Sequence, residues 1–142
     1  MHDININAGF ETFTINGTTK VQLNPTDINF IEKLYCAFED ADKLAEAYEA
    51  KIDKADGRDK FALARELDGN IRERINAIFE QDICTALFGN TNVCALSDGI
   101  PLWANLLFKF MDIVNDNTTE ELKKTSSRIT QYANKYTSKY HK

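Results

Sequence analysis

Side chains suited to acid–base or nucleophilic chemistry are scarce in this chain of 142 residues. Its two histidines, His2 and His141, lie at the chain ends, whereas a Ser or Cys nucleophile usually needs a nearby general base, most often His. The three cysteines form no C-x-x-C motif, and we interpret them as free thiols that act as small core residues in a reducing compartment: Cys36, Cys84 and Cys94. The sequence therefore predicts no catalytic residue, and we expect no enzyme activity.

Two groups of acidic residues have the side-chain types that bind hard cations. The first lies at residues 39–42 in a helical pattern, where adjacent acids point in different directions. The second consists of Asp53, Asp56 and Asp59, which flank a glycine but lack the alternating ligands and terminal Glu of an EF-hand. We interpret both groups as solvated charge, and we expect neither a metal nor another cofactor.

The net charge of -5 is unevenly distributed along the chain. Residues 1–117 hold 11 basic and 20 acidic side chains, a balance of -9, and residues 118–142 hold 6 basic and 2 acidic ones, a balance of +4. An acidic body repels nucleic-acid phosphates and the basic residues of the tail are well spread, which argues against nucleic-acid binding. We expect the tail to bind an acidic protein or the acidic face of a second copy through these candidates: Lys123, Lys124, Arg128 and Lys135.

The sequence predicts a protein of the cytoplasm. The longest apolar run, residues 106–110, is interrupted by Lys109 and is too short to span a membrane. Residues 1–7 contain no Lys or Arg, so they do not resemble a secretory signal.

The first elements are predicted to be two strands within about residues 8–23. Residues 10–15 and 20–23 are rich in alternating β-branched and aromatic or apolar side chains. Between them, Asn16-Gly17 predicts a type I′ hairpin turn, which requires positive φ at both central residues. Because a lone two-stranded hairpin is marginal in water, we expect it either to pack on the helices or to extend a sheet with a second chain.

The next elements are predicted to form a long antiparallel helical hairpin. A helix over residues 26–55 begins after a polar turn with Pro25, and a second begins near Asp59 with Gly69 as a potential bend. The first helix carries a heptad-like seam with gaps of three and four residues: Ile31, Leu34, Phe38, Ala41, Ala45, Tyr48 and Ile52. At about 1.5 Å per residue, this helix spans or projects beyond the rest of the domain.

A buried helix is predicted to complete the core. Helical pattern resumes over residues 79–88 and ends at Gly89, and residues 90–99 form a loop whose apolar residues 93–96 are expected to turn inward. Pro101 then opens a helix over residues 102–116 with Trp103 at the centre of the core. The predicted fold class is mainly α (α+β): one domain over residues 1–117, followed by a basic polar tail, residues 118–142, that is flexible or forms a short helix.

Most of the chain from Pro25 to Tyr136 is similar to a known protein family, and short segments carry the resemblance. They read ALFGNTNV at residues 86–93 and LSDGIPLWANLL at residues 96–107, and YANKY follows at residues 132–136. They resemble tail assembly chaperones of siphophages and prophages of Gram-positive bacteria, which are encoded just before the tape-measure protein. The resemblance implies a non-catalytic protein of the bacterial host cytoplasm that binds the tape-measure protein and helps recruit tail-tube subunits.

The seam supplies the candidate binding residues for such a partner. A heptad-bearing helix is suited to grip another long amphipathic helix, and the apolar candidates are Ile31, Leu34, Phe38, Tyr48 and Ile52. Self-association into a homo-oligomer is a further expectation. Two alternatives stay open: a virion structural protein, such as a minor tail or head-tail completion component, and a small enzyme or nucleic-acid adaptor.

Overall fold

The computed structural model describes residues 1–117, so the predicted tail lies outside the described residues. The chain is mainly α with a small N-terminal hairpin, which confirms the predicted fold class. In chain order, the elements are β1 Glu11–Ile15, β2 Thr19–Leu23, α1 Ile28–Lys54, α2 Arg58–Phe79, α3 Ile83–Phe88, β3 Leu96–Ser97, β4 Ile100–Pro101 and α4 Leu102–Asn117.

The N-terminal hairpin forms as predicted and packs on α4. Strands β1 and β2 are antiparallel, with Phe13 opposite Val21. The turn residues Asn16 and Gly17 have φ values of 54° and 77°, the positive region that the predicted turn requires. Phe13 contacts Phe110 of α4 edge-on, with ring centroids 6.5 Å apart. The sheet is thus fixed to the body by its apolar face.

The helical hairpin also forms close to its predicted bounds. Asp27 caps α1 by accepting a hydrogen bond of 2.9 Å from the Asn29 N–H. The turn between the arms contains Gly57 with a φ of 51°. Helix α2 continues through Gly69 without a break and ends at Phe79, and its C-cap residue Glu80 adopts a left-handed conformation with a φ of 55°. Asp82 then caps α3, so a short turn separates α2 from α3. Helix α3 ends at its C-cap residue Gly89.

The core is concentrated where α4 crosses the first half of α1. Seven of the eight buried residues of α1 lie between Phe30 and Ala41, and the eighth is Tyr48. Phe38 is fully buried between Trp103, at a centroid distance of 5.2 Å, and Phe108, at 5.0 Å. The central position predicted for Trp103 is confirmed, because its side chain is fully buried as well.

Two details of the sequence interpretation are wrong. Val93 is buried and Cys94 is half-buried, but Ala95 and Leu96 are exposed, because β3 and β4 form a second small hairpin that turns them outward. Cys36 was expected in the core, but it is exposed on the outer face of α1.

The loop after α3 is fastened to α2 by Arg72. Its Nη2 donates hydrogen bonds to the carbonyl oxygens of Gly89, at 2.9 Å, and Thr91, at 2.6 Å. The carboxylate of Asp68 accepts a bond of 2.7 Å from the Val93 N–H. These bonds hold the loop that leads into α4, so they also set the position of that helix.

Candidate partner-binding site

The structure places most of the predicted seam inside the protein's own core. Ile31, Leu34 and Phe38 are at most 3% exposed, and Tyr48 is 8% exposed. The seam is filled by α2 and α4, so these residues are not an accessible partner surface in the folded chain. The four basic candidates of the tail, Lys123, Lys124, Arg128 and Lys135, lie outside the described residues.

The half of the helical hairpin nearest the turn at Gly57, which we call the distal half, is covered less completely than the proximal half, which packs on α4. Ile52, the last predicted seam residue, is half-buried, as are Leu44 and Leu63. Phe61, near the start of α2, is 67% exposed. The apolar pattern of the hairpin therefore continues beyond Ala41, where the burial of α1 falls off.

A polar contact ties the two arms in this distal half. The Asn70 amide donates a hydrogen bond of 3.1 Å to the Tyr48 hydroxyl. Desolvation, followed by the neighbouring Glu66 carboxylate, raises the pKa of Tyr48. The phenol therefore stays neutral at physiological pH, and its ring fills the seam while its hydroxyl reaches the partner arm.

A second apolar surface is a groove beside the N-terminal sheet, which we call the β1–α4 groove. It has a volume of about 510 Å³ and lies between β1, the end of α3, the β3–β4 turn and one face of α4. Its apolar lining includes Phe13, Ile15, Phe88, Leu102, Leu106 and Ile113. Asp98, Asn105 and Lys109 add polar groups. An apolar groove with a few polar groups is typical of a surface that binds a peptide segment.

Sequence reasoning missed this groove, although α4 carries a signal for it. The helix is apolar on most of its faces, as Leu102, Leu106 and Ile113 illustrate. Neighbouring elements on one side cover only part of such a helix, and the apolar side chains on its remaining faces can contact another apolar element.

The thiols of the described residues are not activated as nucleophiles. Burial raises the pKa of Cys84 to about 12 and the pKa of Cys94 to about 11. Desolvation, followed by the Glu32 carboxylate and its acidic neighbours, raises the pKa of the exposed Cys36. The thiolate is the reactive form, so none of the three cysteines has the lowered pKa of an activated nucleophile.

Residues 1–117 contain no group of three or more His, Cys, Asp or Glu side chains arranged to hold a metal ion. Within the same residues, no helix is both long enough and apolar enough to cross a membrane.

Comparison of the chain with protein-family models, with curated proteins and with solved structures finds no match.

Proposed function

We propose that this protein is a tail assembly chaperone of a siphophage or prophage, which binds the tape-measure protein in the host cytoplasm and helps recruit tail-tube subunits. The proposal begins from the resemblance of residues 86–93 and 96–107 to that family. The observation that carries it in the structure is the incomplete cover of the distal helical hairpin, where Ile52 is half-buried and Phe61 is 67% exposed.

The distal hairpin suits a long helical partner. A tape-measure protein of this kind is a long amphipathic helix, and an amphipathic helix binds by placing apolar side chains at helical spacing against an apolar surface. Leu44 and Ile52 are both half-buried and lie eight residues apart along one stripe of α1, with the buried Tyr48 between them. In this proposal the proximal part of the seam belongs to the core of the protein. The distal part, together with Phe61, binds the tape-measure protein, which we call the client.

Charged side chains lie beside the apolar stripe on the exposed faces of α1. Helix α1 carries acidic and basic side chains on its exposed faces, including the ion pair between Lys43 and Glu39 at 3.0 Å. In this proposal such a mixed surface leaves the apolar stripe as the source of affinity.

The test is co-expression with the tape-measure protein of the same phage. The proposal predicts a soluble complex that co-purifies, and absence of the chaperone from mature particles. The double change Ile52→Ser and Phe61→Ser should abolish the complex while the chain stays folded, because neither side chain is fully buried. The matched control is Leu96→Ser, which removes an apolar side chain that is 69% exposed in the β3–β4 hairpin.

Two results would count against this function. If the double variant retains the complex at the level of the control, the distal hairpin does not bind the client. If the protein is present at high copy in purified virions, it is a structural component of the tail rather than a chaperone.

A further inference from the structure

The N-terminal segment, residues 1–10, has the pattern of a strand without a partner strand among residues 1–117. Ile4, Ile6 and Ala8 alternate with asparagines, so in an extended chain they share one face, and Phe10 follows after the left-handed Gly9. Their larger side chains are exposed: Ile4 by 81%, Ile6 by 84% and Phe10 by 60%. This concentration of exposed apolar surface on one short segment is typical of a binding element.

Hydrogen bonds to side chains hold the segment at its C-terminal end. The Asn24 amide donates a hydrogen bond of 2.9 Å to the Ala8 carbonyl, and the Asn7 side chain accepts one of 2.8 Å from the Gly9 N–H. Gly9 has a φ of 76°, and a Cβ there would lie 2.6 Å from the Asn24 side chain. These contacts fix the chain where it leaves the sheet, while none of residues 1–10 lines the β1–α4 groove of its own copy.

The same molecule carries a site that fits such a strand. Within residues 1–117, β1 pairs with β2 alone, so its outer edge is open. The other strand is less accessible, because the Gln81 side chain donates a hydrogen bond of 3.2 Å to the Lys20 carbonyl of β2. The groove of about 510 Å³ adjoins β1 along residues 13–16. A strand added at that edge would form main-chain hydrogen bonds to β1 and place alternate side chains in the groove.

We propose that residues 1–10 of one copy dock into the β1–α4 groove of a second copy, beside the outer edge of β1, with Ile4 and Ile6 as the apolar anchors. The two surfaces are different parts of the chain, so the contact is head-to-tail and repeats into a ring or a helical array. This self-association goes beyond the client binding proposed above, because it uses neither Ile52 nor Phe61.

The test uses the full chain and two variants that disable opposite sides of the contact. The donor variant carries Ile4→Asp and Ile6→Asp, at positions where both side chains are exposed, so folding is unaffected. The groove variant carries Leu102→Asp at the first residue of α4, where a negative charge favours the helix N-terminus. The control is Phe61→Asp, which places the same charge in the helical hairpin.

Molar mass is measured by light scattering over a concentration series. Wild type and the Phe61→Asp control should increase in mass with concentration. Each of the other two variants alone should remain monomeric. An equimolar mixture of them should give heterodimers and no larger species, because it contains one intact donor segment and one intact groove.

Three outcomes would overturn the proposal. They are a wild type that is monomeric at every concentration, a donor variant that associates like wild type, and a mixture that stays monomeric. If the groove variant fails to fold, a synthetic peptide of residues 1–10 replaces it in the test. That peptide should dissociate the wild-type assembly, and a peptide with both isoleucines changed to Asp should not. The donor variant should still bind the tape-measure protein, because Ile52 and Phe61 are unchanged in it. Loss of self-association and loss of client binding are therefore distinguishable.

Discussion

The Nε atom of Arg72 lies 3.1 Å from both carboxylate oxygens of Asp68, one helical turn away on α2. The pair is mostly buried, with side-chain exposures of 16% and 21%. Asp68 also accepts the Val93 N–H, and the Val93 carbonyl accepts the Trp103 backbone N–H at 3.1 Å. A continuous chain of hydrogen bonds therefore runs from α2 through the loop to the first turn of α4.

Removing the Arg72 side chain should weaken this chain of bonds. We expect Arg72→Ala to lower the free energy of unfolding by about 2 to 3 kcal/mol, because it leaves loop carbonyls and a shielded carboxylate without their charged donor. Chemical denaturation followed by Trp103 fluorescence gives the value. Arg74→Ala is the matched control, since Arg74 donates to Asn70 of its own helix, and it should cost under about 1 kcal/mol. Equal losses in the two variants would show that the loop is held by other contacts.

Trp103 should be the most costly single truncation in the described core. Its side chain is fully buried against Phe38, so Trp103→Ala is expected to destabilise the fold by about 3 to 5 kcal/mol. Circular dichroism during denaturation is the measurement, because the chain has a single Trp and this variant loses its fluorescence. Phe61→Ala removes an aromatic side chain that is 67% exposed, and it should change stability by only about 0.5 kcal/mol. A small effect at Trp103 would contradict its place in the core.

The cysteines should separate into one accessible thiol and two protected ones. Cys36 is exposed, whereas Cys84 is buried and Cys94 is half-buried. A maleimide should label one thiol per native chain at neutral pH, and Cys36→Ser should abolish that reaction. Labelling of Cys36 should accelerate as the pH rises, because its raised pKa limits the thiolate fraction. Two thiols reacting equally fast in the native chain would refute this assignment.

The cap of α3 should make stability depend on pH. The side-chain and backbone hydrogen bonds of Thr85 are the largest causes that lower the pKa of Asp82. A lowered folded-state pKa contributes stability that is present above the unfolded value, about 3.9, and is lost as the pH falls through the folded value. Asp82→Asn should therefore melt below wild type at neutral pH, and the two melting curves should converge in acid. A difference in melting temperature that is constant with pH would exclude this role of the charge.

The sequence was most informative where local chemistry decides the structure. Asn16-Gly17 predicted its turn because few residues tolerate positive φ, and the spacing from Ile31 to Ile52 predicted α1 because helical periodicity is regular over many turns. It was least informative about which apolar face meets which partner. Phe38 and Ile52 belong to one seam, yet α4 buries the first and leaves the second half-exposed. Which of the two residues is buried depends on where α4, a helix distant in sequence, crosses α1. The periodicity of α1 contains no information about that crossing point.

The uneven burial along α1 implies that the helix does not open as a unit. Backbone amides near Leu34 and Phe38 are shielded by fully buried side chains, so their hydrogen exchange requires nearly global unfolding. Amides beyond Tyr48 are supported by half-buried contacts and exchange through local fraying of the hairpin tip. The half of α1 that packs on α4 is thus rigid, and the end of the helical hairpin near Gly57 can change its conformation while the packed half keeps its shape.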